Sequence, residues 1–222
     1  MRKTFHAKLK EINQDVISMG YLAQEAVYNA LEAFTEMNAE LAQKVIDRDE
    51  KINEFDISIE EKCIVLQAEH QPVARDLRYL HSISIIIKYL ERIGDLAVNI
   101  SKIAKRLAGE ENRHPDKEII KLFNEMGDLV RSELNGAIES FKNKDIKLAS
   151  KLEKSDDMVD KIQEMILEKL FSYRRSKEDI KFVTNIVLAS RYLERIGDQS
   201  VNIARRVLYF LSGDYAVFHD GI

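Results

Sequence analysis

The chain has 222 residues, 45% of them hydrophobic and 32% charged, with only 8 Gly and 2 Pro. Average usage, roughly 7% Gly and 5% Pro, would supply about 27 such residues, so turns are few and elements long, which excludes sandwiches, barrels and Rossmann-type sheets. With 34 basic against 38 acidic residues, nothing in the overall charge draws the chain to nucleic acid.

The opening segment, MRKTFHAKLKEINQ, is polar and carries no apolar leader, and the run Ile83 to Ile87 is far too short to span a membrane. A soluble, cytoplasmic protein is the expectation. Cys63 stands alone in an apolar stretch, as a buried thiol in a reduced compartment would.

From Phe5 the apolar positions Leu9, Ile12, Val16, Met19, Ala23, Ala26, Ala30, Ala33 and Met37 keep a 4-3 spacing, the seam of a helix about 50 Å long. Leu41, Val45, Ile52, Phe55, Ile59, Cys63 and Leu66 continue it in a second helix beginning near Asn38. A third runs from Pro72 to about Leu107, with proline expected at its first helical position. The stretch Gly109 to Pro115 is the strongest turn signal, after which the pattern starts again with Pro115 opening a helix.

The restart is a repeat. A shift of 107 residues aligns Ala30 with Ala137, Phe34 with Phe141, Leu41 with Leu148, Asp49 with Asp156, Ile52 with Val159 and Asn53 with Asp160. A shift of 103 aligns Leu77 with Ile180 and Arg78 with Lys181, and sets KYLERIGDLAVNISKIAKR from Lys88 over RYLERIGDQSVNIARRV from Arg191. The predicted architecture is all-α: two tandem three-helix antiparallel bundles, six long helices with an internal pseudo-twofold, residues 1–108 and 115–212, followed by a tail at 213–222.

Each third helix carries Glu-x-x-x-Asp, Glu91 with Asp95 and Glu194 with Asp198, and each second helix adds Asp49 with Asn53 or Asp156 with Asp160. Like charges four apart share a face and destabilise an isolated helix by about 0.2–0.5 kcal/mol. Two offsets are open: the nearby cations Lys88, Arg92 and Lys102 (Arg191, Arg195 and Arg205 in the second repeat), or a bound metal ion held between neighbouring helices. At 100° per residue the acids lie more than about 100° from the apolar arc centred on Leu90, Ile86 and Ala97, so such a site would be a surface groove. That separates it from di-iron bundles, which need inward carboxylates and Glu-x-x-His; the one such spacing, Glu111 to His114, falls in the connecting loop. Oxygen-only donors favour hard cations such as iron(III), manganese or magnesium, with zinc as a further candidate.

Gly94 and Gly197, inside strong helices, predict close approach of a neighbouring helix beside the acids. Asp76 and Asp179 suit the positive end of a helix dipole, and His6, His70, His81, His114 and His219 show no ligand spacing. No Gly-rich phosphate loop or nucleophile triad is present, so no enzymatic activity is expected. A metal-free helical tether and a metal-dependent phosphohydrolase are the other classes these residues leave open.

The doubled YLERIGD with Asn99-Ile100 and Asn202-Ile203, the Asp49/Asn53 and Asp156/Asp160 pairs and the segment HQPVARDLR from His70 resemble the PhoU-like phosphate-signalling regulators. The resemblance implies a cytoplasmic, non-enzymatic repressor of phosphate uptake and of the starvation response, acting between the ATP-binding subunit of the phosphate transporter and a sensor histidine kinase. It also implies surface metal sites on Asp49, Glu91, Asp95, Asp156, Asp160, Glu194 and Asp198, with Asn53 a departure from the acidic pattern. An accessory subunit of a low-affinity phosphate permease is the neighbouring reading, and a homodimer is the expected assembly.

Overall fold

The computed structural model describes residues 2–109, 116–153, 157–171 and 177–214. They form α1 (Arg2–Thr35), α2 (Ala39–Arg48), α3 (Glu50–His70), α4 (Arg75–Ala108), α5 (Lys117–Asn143), α6 (Ile146–Glu153), α7 (Asp157–Phe171) and α8 (Lys177–Ser212). No strand occurs among the described residues. None of their helices is long and apolar enough to cross a membrane.

The turns repeat as faithfully as the helices. Met37 closes α1 in the left-handed region (φ 53), and the Asn38 N–H donates back to the Ala33 carbonyl at 2.9 Å. One repeat later Lys144 (φ 53) closes α5, and the Asp145 N–H donates to Ser140 at 2.9 Å. Both turns satisfy helix-end carbonyls in a Schellman arrangement. The residue after each then caps the next helix: Asn38 Oδ1 accepts from the Leu41 N–H and Asp145 Oδ1 from those of Lys147 and Leu148.

Two expectations change at the level of single residues. The second helix is divided at Asp49, whose backbone stays helical (φ −62, ψ −30) while its carbonyl accepts from both Ile52 and Asn53; this is a tightened turn within one path. Pro72 does not open α4. It stops α3, because the residue before a proline avoids the right-handed helix, and Gln71 takes the left-handed conformation instead (φ 46); α4 starts three residues later at Arg75. Pro115 and the loop at 110–115 lie outside the described residues.

α2 and α3 pack against α1 and α4, and α6 and α7 against α5 and α8, while the repeats meet along α4–α8 and α1–α5. A Cβ on Gly20 would lie 3.0 Å from Ile138, and one on Gly127 would lie 3.0 Å from Leu31. These are the same two repeat positions, paired once in each direction, as a twofold requires. Gln24 with Asn135 and Tyr28 with Arg131 do likewise, by an amide hydrogen bond of 3.2 Å in one case and a guanidinium 5.2 Å from the ring centre in the other. Phe34 stacks on Phe123 at 4.2 Å across the same seam, and the buried residues of both repeats form one continuous core. Ile86, Leu90 and Ala97 are buried in it, as is Cys63.

Candidate functional site

The first acid group forms where the α2–α3 joint meets α4. Asp49 sits at the joint and Asn53 one turn on, while Glu91 and Asp95 share a face of α4. Gly94 makes the approach possible, since a Cβ there would stand 2.9 Å from Asp49 Oδ1 and 3.0 Å from Ile52 Cδ1. Asp49, Glu91 and Asp95 are half-buried and Asn53 is exposed, so the group lies at the rim of the bundle. The electrostatics agree. Burial pushes the Asp49 carboxyl up and the Asp95 charge adds to it, against the Asn53 amide and Lys102. Burial also raises Glu91, followed by the charges of Asp95 and Asp56, with Arg92 opposing.

Local cations supply part of the offset. Lys88 Nζ donates to Asp56 at 2.7 Å and to Glu60 at 2.9 Å, and Arg92 pairs with Asp95 at 3.3 Å. Asp56 is buried and extends the group beyond the predicted four residues. Its signal was legible, because Asp56 follows Asp49 by seven residues, two helical turns.

In the second group Asp160, exposed on α7, faces Glu194 and Asp198, half-buried on α8. Burial raises Glu194, then the charges of Asp198 and Asp160, opposed by Arg191 and Arg195. Asp156 lies outside the described residues. Where Asp49 meets Gly94 in the first repeat, the buried Glu133 of α5 meets Gly197, its Oε2 being 3.0 Å from the position of a Cβ there. Glu133 occupies the repeat position of Ala26, an acid in an otherwise apolar seam that the repeat alignment already exposes. Both glycines therefore do what their placement predicts, against different acids.

The donors are all oxygen, which suits a hard cation. Among the described residues, however, no three His, Cys, Asp or Glu side chains converge on one point as an ion would require. Elsewhere, the His6 and His70 rings pack edgewise on Phe5 at 5.5 and 5.7 Å, and His81 is exposed. His114 and His219 fall outside the described residues. Asp76 lies in the first turn of α4, as the dipole argument requires.

The PhoU domain matches residues 16–104 and again 123–207, once per repeat. The chain belongs to the PhoU family. A Clostridium acetobutylicum protein named phosphate-specific transport system accessory protein PhoU homolog is 32% identical over 99% of both chains. The crystal structure of PhoU from Pseudomonas aeruginosa superposes with a TM-score of 0.87 at 34% identity, over 95% of this chain and 100% of that one. That of the phosphate transport system regulatory protein PhoU from Streptococcus pneumoniae gives 0.85 at 28% identity, over 95% and 98%. Both acid groups fall inside the PhoU matches, each in its own repeat.

Proposed function

We propose that this PhoU-family chain is a regulator of phosphate transport that represses uptake and the phosphate-starvation response when phosphate is plentiful. It does so by docking between the ATP-binding subunit of the phosphate transporter and a sensor histidine kinase, which places it in the cytoplasm. The observation that carries this reading is a match over nearly the whole chain to proteins named as accessory to phosphate-specific transport. A long, rigid double bundle with charged rims suits a protein that acts by contact. Deleting the gene tests it: a phosphate-responsive reporter should become active in high phosphate, and copurification from phosphate-replete cells should recover the ATP-binding subunit or the kinase. Normal repression in the deletion strain would overturn the reading.

The acid groups belong to this proposal as surface metal sites, Asp49, Asn53, Glu91 and Asp95 in the first and Asp156, Asp160, Glu194 and Asp198 in the second. Their oxygen donors fit iron, manganese or magnesium, and zinc less well. Carboxylates that raise one another by charge gain most from a cation between them. Metal content after purification without chelator checks this, and dimerisation is checked by sedimentation of the same sample.

A further inference from the structure

α3 carries two seams. The inner one, Ile52, Ile59, Cys63 and Leu66, is buried in the core that α3 shares with α1 and α4. At 100° per residue a second set, Glu50, Glu54, Ile57, Glu61, Ile64 and Val65, lies within about 60° of Glu61 on the opposite side, and from Glu50 to Ile64 its steps of four and three repeat the spacing of a packing seam. Ile57 and Ile64 are each 60% exposed and Val65 is 50% exposed. A surface helix carries one apolar stripe, and a helix apolar on both sides is one that is covered on both. Among the described residues α3 touches α1, α4 and, at the joint, α2, and no other helix, so no helix of the fold covers this side.

The charge of this face defines what can cover it. Lys62 is committed to Glu11 and Asp15, Lys88 to Asp56 and Glu60, and Lys8 to Glu69, so the lysines along both edges of α3 are taken. Glu50, Glu54 and Glu61 have no such pairing among the described residues, and Lys51 is the one other lysine of the helix. Alongside runs a groove of about 340 Å³ between α1 and α3, floored by the buried Ile12 and Leu66 and edged by Lys8, Glu11, Glu61 and Val65. The face is not inherited with the core, because on α7 the repeat positions of Glu54 and Ile57 hold Lys161 and Glu164. It belongs to one repeat alone.

We infer that the outer face of α3 is a docking surface for a basic amphipathic helix of another protein. Its apolar side chains, three and four apart, lie on Ile57, Ile64 and Val65, and its lysines or arginines meet Glu50, Glu54 and Glu61. Helix-in-groove recognition uses this spacing, and unpaired carboxylates along the seam select the partner by charge and speed its arrival. The same carboxylates turn other occupants away. A second copy of the chain laid on this face would set Glu54 and Glu61 against like charges, and an anionic membrane surface would meet the same repulsion. The inference rests on the docking role proposed above and adds to it the surface and the chemistry of the partner.

The test uses the full chain at its native level in cells, with Ile57 or Ile64 replaced by the photocrosslinking residue p-benzoylphenylalanine and Glu164, the repeat position of Ile57, replaced as the control. After irradiation the crosslinked peptides are identified by mass spectrometry. Both positions should trap the same segment of another protein, a helix with apolar residues three and four apart and a net positive charge. Adding Glu54→Lys and Glu61→Lys, with helicity checked by circular dichroism, should cut the yield on the order of tenfold. A product with this chain itself, with lipid or with a segment lacking that charge overturns the inference, as does a yield no greater than at Glu164 or one indifferent to the double substitution. The reporter in the deletion strain decides the proposed function separately, so the two readings fail independently.

Discussion

Asp49 Oδ1 stands 2.9 Å from the point where Gly94 would carry a Cβ. This contact joins the α2–α3 joint to α4 and brings the two acid pairs of the first repeat into one electrostatic field. Replacing Gly94 by Val should displace both Asp49 and Ile52 and cost about 1–3 kcal/mol, the usual range for overpacking. Thermal unfolding measures the loss; metal analysis should show depletion of the first site with the second retained. Wild-type stability in the variant would mean that the joint yields freely.

The seam between the repeats offers a symmetric test. Gly20 against Ile138 and Gly127 against Leu31 are equivalent contacts, each at 3.0 Å. Gly20→Val and Gly127→Val should therefore destabilise by similar amounts, again about 1–3 kcal/mol each. Gly109 is the control: the nearest atom to its Cβ position is the Arg106 carbonyl oxygen at 3.6 Å, and its φ is −84. Gly109→Ala should gain about 0.4–1 kcal/mol by restricting the unfolded chain. Strongly unequal seam variants would show that the twofold is not energetic.

Stability should also report the crowded acids. Glu91 and Glu194 have carboxyl groups raised in the fold by burial and then by neighbouring charge. A raised acid favours the fold while protonated, and this advantage is lost as pH rises through its folded value. At neutral pH without metal, Glu91→Gln and Glu194→Gln should each stabilise the protein, relief of the like-charge spacing alone contributing about 0.2–0.5 kcal/mol. The gain should vanish below the ordinary glutamate range, where both states are protonated. Urea titrations of chelated protein at pH 7 and pH 3 check this; a gain of the opposite sign, or one unchanged between the two, would overturn it.

The repeats differ in charge. Asp49, Glu91 and Asp95 with neutral Asn53 carry three negative charges, whereas Asp156, Asp160, Glu194 and Asp198 carry four. Lys102 acts on Asp49 from the same side of the balance. Carboxylate count tunes oxygen-ligand affinity, so limited chelation should empty the first site before the second, and Asp160→Asn should bring the second toward the first. Titration calorimetry on Glu91→Ala and Glu194→Ala isolates each site; an equal or tighter first site would show that charge does not set the order.

Cys63 is fully buried, and burial pushes its thiol up to about 11. The native protein should resist iodoacetamide at pH 8 and react once urea exposes the thiolate. Rapid stoichiometric labelling of the folded chain would contradict this packing.

Much of this molecule is local information written twice. The 4-3 apolar spacing specifies long helices whatever surrounds them, because side chains three and four apart share a face. The 107-residue shift carries the turns as well: Asn38 and Asp145, one repeat apart, cap their helices in the same way. The shift also pairs Asp49 with Asp156 and Asn53 with Asp160, so the candidate acids could be named without coordinates. Tertiary structure decided which elements meet. That Gly94 receives Asp49 whereas Gly197 receives Glu133 follows from how α3 and α5 lean on α4 and α8. That Pro72 ends one helix instead of beginning the next was local information as well, because the residue before a proline avoids the right-handed helix and Gln71 turns left-handed there. Helical periodicity fixes the face a residue occupies, but the neighbour across that face comes from elsewhere in the chain, and only packing brings the two together.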